Sequence, residues 1–412
     1  MFENKKSYDF MLNSDFDVLN DWMFGSLNKL LNGIDINPEL DLIKMSIGEP
    51  QLNPPEFVKE EFKIFSSDWG KYPPTIAIPR LQQSILNYLE RRFPGNNNII
   101  DPNNNIIPVP GTREPLHLVG LISKNKRKNR SIAIVTNPFY HAWRTGGIAS
   151  GSEIFWINAI QENDFNPELD KIPVQTLQNA VIMYLCFPSN PQGGTTSFTY
   201  LEKAINLARK YDFVLAVDEC YIDISRLYQE KPIGCLDVIK KMNTNLDNII
   251  IFNSLSKRSN VPGIRAGFIV GDKKIIDIYK LIVSNGAAPV PIPIQNVAAA
   301  LYDDDEHNIK ACQHYDKNFV IAEKQLRTFY PKLKIPKAGF FLWLPVKDDI
   351  HVAKSLWKEF SLRVMPGSYM AVCVNGFNPG KGYLRLALVD QHIIVENAFK
   401  RIINYLSKTK NE

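Results

Sequence analysis

The sequence predicts an α/β protein in which helices cover both faces of a mainly parallel central sheet. Between about residues 130 and 275, short apolar runs rich in β-branched residues alternate with segments of helical periodicity. Continuous runs of this kind are typical of strands buried on both faces, and helices between them favour parallel order. Polar clusters directly follow four of the runs. Because ligands bind beyond the carboxyl ends of the strands in an open α/β sheet, these clusters predict a ligand site there.

Five apolar runs are the predicted strands, and they lie at 131–135, 181–187, 213–217, 248–252 and 267–271. Residues 199–212 repeat apolar side chains at helical spacing and are predicted to form a helix. The Asn-rich residues 94–105 are predicted to form a surface loop.

The two ends of the chain predict a second, smaller domain. Residues 1–45 and 300–412 combine helical patterns with Pro/Gly-marked segments such as 336–346 and 364–370. A chain of 412 residues can hold two or three domains. We expect a large domain at 46–299 and a small α+β domain built from 1–45 and 300–412.

The composition is that of an ordinary soluble protein, with 45% hydrophobic and 22% charged residues. The 48 Lys and Arg exceed the 43 Asp and Glu by five, which is too few to indicate nucleic-acid binding. The basic run at 124–130 is expected to be a solvated helix end and loop. No stretch reaches the roughly 18 apolar residues of a membrane span, and residues 1–20 lack the apolar core of a signal peptide.

The cysteines and histidines indicate neither disulfides nor a metal site. The five cysteines include no CxxC pair, as expected for reduced thiols, and the six histidines show no ligand spacing. We therefore expect a cytoplasmic protein that binds no metal.

One lysine stands just beyond a predicted strand end. The run at 248–252 is followed by "NSLSK", which ends in Lys257. Either this amine is solvated, or it lies in a site poor in water, where a lowered pKa suits a nucleophile or general base. Arg265 follows between Gly263 and Gly267, and a fixed arginine suits a phosphate group.

Three further clusters carry residues suited to ligand binding. In "AVDECY", Asp218 ends a wholly apolar strand, where a carboxylate needs a cation or hydrogen-bond donors; an N-cap or a salt bridge is the alternative. In "PGTREP", Gly111 precedes a helical pattern whose first N–H groups can bind an anion, with simple capping as the alternative. In "FPSNPQGG", Asn190 precedes a proline, and a tight turn is the alternative.

Together these clusters match the requirements of one cofactor. A nucleophilic lysine, an acid that can hold a ring N–H, a phosphate site and an aromatic side chain such as Tyr140 form the binding pattern of pyridoxal 5′-phosphate.

The chain resembles the fold-type I, class I/II aminotransferases from "MSIGEPQLNPP" (45–55) to "GYLRLALV" (382–389). The motifs that carry the resemblance also include "GTRE", "NPFY", "FPSNPQG", "DECY" and "SLSKRSNVPGIRAGF". The resemblance implies fold type I, a pyridoxal-phosphate cofactor, and amino-acid and 2-oxo-acid substrates.

The resemblance also assigns roles to single residues. It makes Lys257 the lysine that binds the cofactor covalently, Asp218 the partner of the ring nitrogen, and Tyr140 the aromatic residue stacked on the ring. It assigns the cofactor's phenolic oxygen to Asn190 and Tyr221. The implied phosphate ligands are Gly111, Thr112, Ser254, Ser256 and Arg265.

The remaining implied roles concern the substrate and the assembly. Arg385 is expected to bind the substrate α-carboxylate, with Gly48 and Asn190 also in contact with the substrate. Tyr72 matches a tyrosine that reaches the phosphate site of the neighbouring subunit, which implies a homodimer with composite active sites.

Within the superfamily the motifs are most similar to proteobacterial N-succinyldiaminopimelate aminotransferases of lysine biosynthesis. This similarity predicts amino-group exchange between N-succinyl-L,L-2,6-diaminopimelate and 2-oxoglutarate/glutamate. Arg113 and Arg144 are candidates for the extra carboxylates of such a substrate. The alternatives are an aspartate, aromatic or alanine aminotransferase, or a C–S β-lyase. A non-catalytic ligand-sensing module fused to a DNA-binding domain is disfavoured, because only about 45 residues precede "MSIGEP".

The chain departs from the family pattern at several positions. Ala77 replaces a glycine and Pro115 replaces an alanine, although proline is tolerated in a first helical turn. The residues after Tyr140 also differ, which affects the expected substrate lining. The sequence indicates no physical role for Arg258, Ser259 and Asn260.

Overall fold

The computed structural model describes residues 17, 19, 22–96, 98–124 and 130–409. The predictions for residues 1–20 and for the basic run at 124–130 fall mostly outside these residues. Among the described residues, no helix is long and apolar enough to cross a membrane.

The strands are β1 (Ile43–Lys44), β2 (Ile106–Val109), β3 (Ile132–Asn137), β4 (Glu153–Asn158), β5 (Ala180–Cys186), β6 (Val214–Asp218), β7 (Ile249–Ser254), β8 (Gly267–Gly271), β9 (Phe341–Pro345), β10 (Leu362–Arg363), β11 (Met365–Pro366) and β12 (Tyr383–Ala387). The α-helices are α1 (Met23–Leu31), α2 (Phe57–Ile64), α3 (Pro79–Arg92), α4 (Pro102–Asn105), α5 (Arg113–Ser123), α6 (His141–Ala149), α7 (Val174–Asn179), α8 (Phe198–Tyr211), α9 (Cys235–Lys241), α10 (Leu255–Arg258), α11 (Lys273–Asn285), α12 (Ile292–Asp303), α13 (Glu306–Leu326), α14 (Asp349–Phe360) and α15 (His392–Thr409).

The large sheet has seven strands in the order β2-β8-β7-β6-β5-β3-β4. Strands β4, β3, β5, β6 and β7 run parallel to one another, whereas β8 is antiparallel to both β7 and β2. The prediction of a mainly parallel sheet is therefore confirmed. Each of the five predicted strands lies within two residues of an observed one.

Helices cover both faces of this sheet, as predicted. Alternate residues of the strands enter two separate hydrophobic clusters, because successive side chains of a strand point to opposite faces. One cluster joins the sheet to α3, α8, α9 and α12. The other joins it to α5, α6 and α11.

Helix α8 illustrates how local sequence sets the covering layer. Ser197 caps its start, with the hydroxyl accepting a hydrogen bond from the Tyr200 N–H at 3.2 Å. Leu201 and Ile205 are buried one turn apart, and the helix ends at Asp212, whose φ of 55° is left-handed. The predicted helix at 199–212 is confirmed.

The predicted loop at 94–105 is partly wrong, because α4 forms at its end. Asp101 caps this short helix by accepting from the Asn103 N–H, and Pro102 occupies the first helical position. These two residues are a helix-start signal that the Asn-rich composition obscured.

A smaller layered unit surrounds the antiparallel sheet β11-β12-β9. Its core combines these strands with α13, α14 and α15. Strand β1, from the early part of the chain, pairs in parallel with β10. The predicted boundary at residues 299/300 lies inside α12, whose buried side chains pack beneath the large sheet. The domain boundaries therefore stay a prediction.

Candidate active site

A cavity of about 610 Å³ lies where the carboxyl ends of β5, β6 and β7 meet strand β12. Its lining contains most of the residues that the sequence predicted for the site, including Thr112, Tyr140, Asn190, Asp218, Tyr221, Ser254, Ser256, Lys257, Arg265 and Arg385. The strand-end clusters therefore come together as expected.

Lys257 lies on α10, the single helical turn that follows β7. Its Nζ donates a hydrogen bond to the Gly48 carbonyl oxygen at 2.6 Å and lies 5.8 Å from the centre of the Phe340 ring. Burial lowers the pKa of Lys257 to about 8. A larger fraction of this amine is therefore neutral near pH 7 than of a solvated lysine, as a nucleophile requires.

An anion site lies beside the lysine. Ser254 Oγ and Ser256 Oγ are 3.0 Å apart, and Arg265 Nη1 reaches Ser256 Oγ at 3.4 Å. Gly111 has a φ of 70°, and a Cβ at this position would lie 2.2 Å from Arg265 Nη2. Glycine is thus required both for the backbone conformation and for the close approach of the guanidinium group.

The start of α5 adds backbone donors to this anion site. Thr112 immediately precedes the helix, and its Oγ1 lies 3.0 Å from Cys220 Sγ. The first N–H groups of a helix lack partners within it and favour an anion. Pro115 lies in the first turn, where it is tolerated, and Ala77 does not have a positive φ.

Asp218 ends β6 and is 4% exposed. Its carboxylate accepts hydrogen bonds from Trp143 Nε1 at 3.3 Å and from the Cys220 N–H at 3.2 Å. Burial raises the pKa of Asp218, and these hydrogen bonds oppose that effect. A cationic ring N–H directed at the carboxylate would favour its ionised form.

Two aromatic residues and one amide complete the region around the lysine. Tyr140 precedes α6, and its hydroxyl accepts from Arg113 Nε at 3.0 Å. Tyr221 packs edge-on against Phe340 and Phe341, and burial raises the pKa of its hydroxyl. Asn190 Oδ1 accepts from Arg385 Nη1 at 3.1 Å.

Arg385, on β12, is 2% exposed, and no described acid lies within ion-pairing distance of it. Nη1 donates to Asn190 and Nη2 donates to the Ser46 carbonyl oxygen at 2.7 Å, while Nε has no hydrogen-bond partner. Burial lowers the pKa of Arg385 to about 10. A buried cation in this state is suited to an anionic ligand, because a carboxylate would supply the missing counter-ion.

Of four further predicted residues, Gly48 and Arg113 line the cavity, whereas Arg144 and Tyr72 do not. Gly48 lines the cavity and contacts Lys257 through its carbonyl group. Arg113 also lines it, whereas Arg144 lines a smaller adjoining pocket of about 170 Å³. Tyr72 is fully exposed and does not line the cavity of its own chain.

Sequence reasoning missed several contacts of the site. Trp143 bonds Asp218, Cys220 contacts Thr112, and Phe341 lies under the Arg385 guanidinium group at 4.6 Å. The apolar segment 336–346 signalled a buried strand, but nothing in it indicated which strand residue would face the site.

The side chains that line the cavity fit pyridoxal 5′-phosphate. Lys257 offers a partly neutral amine, Asp218 a buried carboxylate, and Arg265 with the α5 start an anion site made possible by Gly111. Among the described residues, no group of three His, Cys, Asp or Glu side chains is arranged to hold a metal ion.

The fold is that of the fold-type I pyridoxal-phosphate enzymes. Residues 41–401 match the family model described as aminotransferase class I and II, and the chain belongs to this family. Members of the family use pyridoxal 5′-phosphate.

Known proteins resemble the chain over nearly its whole length. An aminotransferase from Neisseria meningitidis is 30% identical, with a TM-score of 0.89 over 93% of this chain and 97% of that one. The aminotransferase AspB from Helicobacter pylori is 28% identical, with a TM-score of 0.85 over 93% and 98%. An LL-diaminopimelate aminotransferase from Nitratidesulfovibrio vulgaris is 26% identical over 96% of this chain and 99% of the relative.

These relatives support transaminase activity but not the succinylated substrate. A second LL-diaminopimelate aminotransferase, from Natranaerobius thermophilus, is 27% identical over 94% of this chain and 97% of the relative. The prediction of a fold-type I aminotransferase is therefore confirmed, whereas the predicted similarity to N-succinyldiaminopimelate aminotransferases is not.

Proposed function

We propose that this chain transfers the amino group between an amino acid of the diaminopimelate type and 2-oxoglutarate. The observation that carries the proposal is Arg385, a buried guanidinium group that no described acid neutralises, beside a lysine with a lowered pKa. An α-carboxylate bound there would place the substrate amino group close to Lys257.

In this proposal each residue has a separate task. Bound pyridoxal phosphate supplies an electron sink for the negative charge that forms at the substrate Cα. Arg385 holds the α-carboxylate and so orients the Cα–H bond. Lys257 accepts and returns the proton at Nζ as a general acid/base. With the cofactor bound, Asp218 would hold a proton on its ring nitrogen, and Tyr221 and Asn190 would donate to its phenolic oxygen.

Three charged residues of the cavity lining support a substrate with charges at its far end. Glu49, Arg113 and Glu114 all line the cavity. The free LL-diaminopimelate of the relatives' names has a distal ammonium and a distal carboxylate, which suit the two acids and Arg113 respectively. We therefore favour LL-diaminopimelate as the amino donor.

N-succinyl-LL-diaminopimelate is the second candidate donor. Its distal nitrogen is an uncharged amide, and it carries an extra carboxylate. Arg113 favours this donor, because its guanidinium group bonds Tyr140 through Nε and its exposed side chain lines the cavity. The succinylated donor, however, would leave Glu49 and Glu114 without a cationic partner.

A half-reaction screen tests the proposed function. The cofactor-loaded protein is mixed with one amino donor at a time, and the conversion of the bound aldehyde to the amine form is followed by visible absorption. We expect the fastest conversion with LL-diaminopimelate, followed by its succinylated form. Conversion by aspartate or tyrosine but by neither diaminopimelate would refute the substrate. No conversion by any donor would refute transamination and would agree with a C–S β-lyase or a ligand-sensing module instead.

We also propose a homodimer with composite active sites. Tyr72 is fully exposed, and Ile64, Trp69 and Leu281 are exposed in the same chain to 64%, 54% and 63%. An interface would remove these apolar side chains from water. If Tyr72 completes the partner's site, co-expressed Lys257→Ala and Tyr72→Ala chains form mixed dimers with one intact site. Activity should then return to about a quarter of that of wild type, and no recovery would refute composite sites.

A further inference from the structure

Lys257 lies on a helix too short to be stable by itself. Helix α10 spans four residues, Leu255–Arg258. A single helical turn does not offset the cost of nucleation, so its position depends on tertiary contacts. Asn253, just before the Ser254 N-cap, and Arg258, the last residue of the helix, are both buried and polar. Their contacts therefore fix the place of the lysine.

Arg258 anchors the end of the turn to α12 and the start of α13. It is 2% exposed and donates from Nη1 to the Leu301 carbonyl oxygen at 2.7 Å. Its Nη2 donates to Asp305 Oδ1 at 2.5 Å, and its Nε lies 3.3 Å from Asp223 Oδ2. Asp305 is half-exposed, whereas the Asp223 side chain is 8% exposed. Asp223 is thus the buried counter-ion of Arg258.

Asn253 anchors the start of the turn through Tyr88. Its Nδ2 donates to the Tyr88 hydroxyl at 3.0 Å, and that hydroxyl donates to Asp223 Oδ2 at 2.8 Å. Asp223 therefore receives contacts from both ends of the turn that carries Lys257. Its other oxygen lies 3.4 Å from Nε of Arg92, for which no other described carboxylate lies within ion-pairing distance.

The two residues after Arg258 extend the anchor. Ser259 Oγ lies 2.8 Å from His307 Nε2 on α13. Asn260 has a left-handed φ of 54°, and its Oδ1 accepts from the Tyr315 hydroxyl at 3.0 Å. Residues 258–260, for which the sequence indicated no role, thus tie the lysine turn to α13.

We propose that Asp223 is a positioning residue for Lys257. It lies two positions after Tyr221 and joins Asn253, through Tyr88, to Arg258, so that the turn between them has one geometry. The inference rests on the proposed role of Lys257 in binding the cofactor. Buried ion pairs by themselves are weak evidence of a role beyond structure, so the test must separate positioning from stability.

The test compares two buried aspartates with the same substitution. Asp223→Asn removes the shared counter-ion. Asp272→Asn is the control, because Asp272 is 7% exposed and is bound by the Lys274 and Asn248 N–H groups at the opposite end of β7. Tyr88→Phe is a milder variant that removes the link from Asn253 and leaves no charge unpaired.

Each apoprotein is measured for its rate of covalent uptake of pyridoxal phosphate, its affinity for inorganic phosphate and its melting temperature. We expect Asp223→Asn to slow uptake and kcat by at least about 10-fold, because small displacements of a reacting group are costly. KM for the amino donor should change little, since Arg385 lies outside the network. Tyr88→Phe should show a smaller slowing, and Asp272→Asn should lower the melting temperature without slowing uptake.

Wild-type uptake rates in both Asp223→Asn and Tyr88→Phe would overturn the inference, as would equal slowing in Asp272→Asn. If Asp223→Asn does not fold, Tyr88→Phe decides. Lys257→Ala separates this outcome from failure of the proposed function. If Lys257→Ala keeps turnover, the proposed function is wrong. If it is inactive while the other variants behave as wild type, only the positioning role is wrong.

Discussion

Replacing Arg385 with methionine should remove the binding of the α-carboxylate while leaving the fold intact. Of the five N–H groups of an arginine, two are used by Asn190 and Ser46, which leaves three for a ligand. A carboxylate that accepts two of these forms two charge-assisted hydrogen bonds, each contributing about 1.5–3 kcal/mol. Their loss corresponds to about 3–6 kcal/mol, or a decrease of about 10²–10⁴-fold in kcat/KM.

The same substitution should not lower stability by a comparable amount. Burial lowers the pKa of Arg385 from its ordinary value to about 10, which corresponds to about 3 kcal/mol against the charged form. Methionine removes that cost, although it also removes two hydrogen bonds from a charged donor, each worth about 1.5–3 kcal/mol. The net loss of stability is therefore at most about 3 kcal/mol, so we expect the melting temperature to fall by less than about 10 °C.

The assay compares two amines that differ by the carboxylate alone. Half-reaction rates are measured for L-alanine and ethylamine in wild type and in Arg385→Met. Wild type should strongly prefer alanine, and the variant should lose most of this preference. Arg401→Met is the control, because Arg401 donates to the backbone carbonyl groups of Asp41, Phe360 and Ser361, away from the cavity. A variant at position 385 that keeps the wild-type preference for alanine would refute the assigned role.

Two further predictions concern the cofactor site. Gly111→Ala should weaken binding of pyridoxal phosphate at least about 10-fold in an equilibrium titration, because the new Cβ meets Arg265 and the backbone has a positive φ. Gly263→Ala, where no atom lies within 4 Å of the added Cβ, should bind normally, and equal affinities would contradict the crowding argument. The rate of covalent cofactor uptake by Lys257 should rise with pH with a midpoint near 8, since only the neutral amine reacts. A midpoint near 10.5, the ordinary value for lysine, would show that burial does not lower this pKa.

The fold could be predicted where local sequence and tertiary environment agree. Strands β3, β5, β6, β7 and β8 have continuous apolar runs because both faces of the sheet are covered. The two edge strands were missed. Pro108 interrupts the pattern of β2, and only one residue of β4 is fully buried.

The candidate site could be predicted where a single residue type at a strand end suffices, as for Lys257 and Asp218. Contacts between distant segments could not be predicted. The Tyr88 hydroxyl joins Asn253 to Asp223 across 165 and 135 positions of sequence, and nothing in the local pattern of α3 indicates this. The sequence also could not distinguish the two arginines expected to bind the far end of the substrate. Arg113 lines the main cavity, whereas Arg144 lines the adjoining pocket.

The most direct measurement is a single-turnover half-reaction of cofactor-loaded wild type and Lys257→Ala with LL-diaminopimelate. Wild type should convert the bound aldehyde to the amine form in one turnover. Lys257→Ala, which keeps Arg385 and the anion site, should bind both cofactor and donor but transfer the Cα proton at least about 10²-fold more slowly. Conversion by Lys257→Ala at the wild-type rate would contradict the role of Lys257 and, with it, the proposed mechanism.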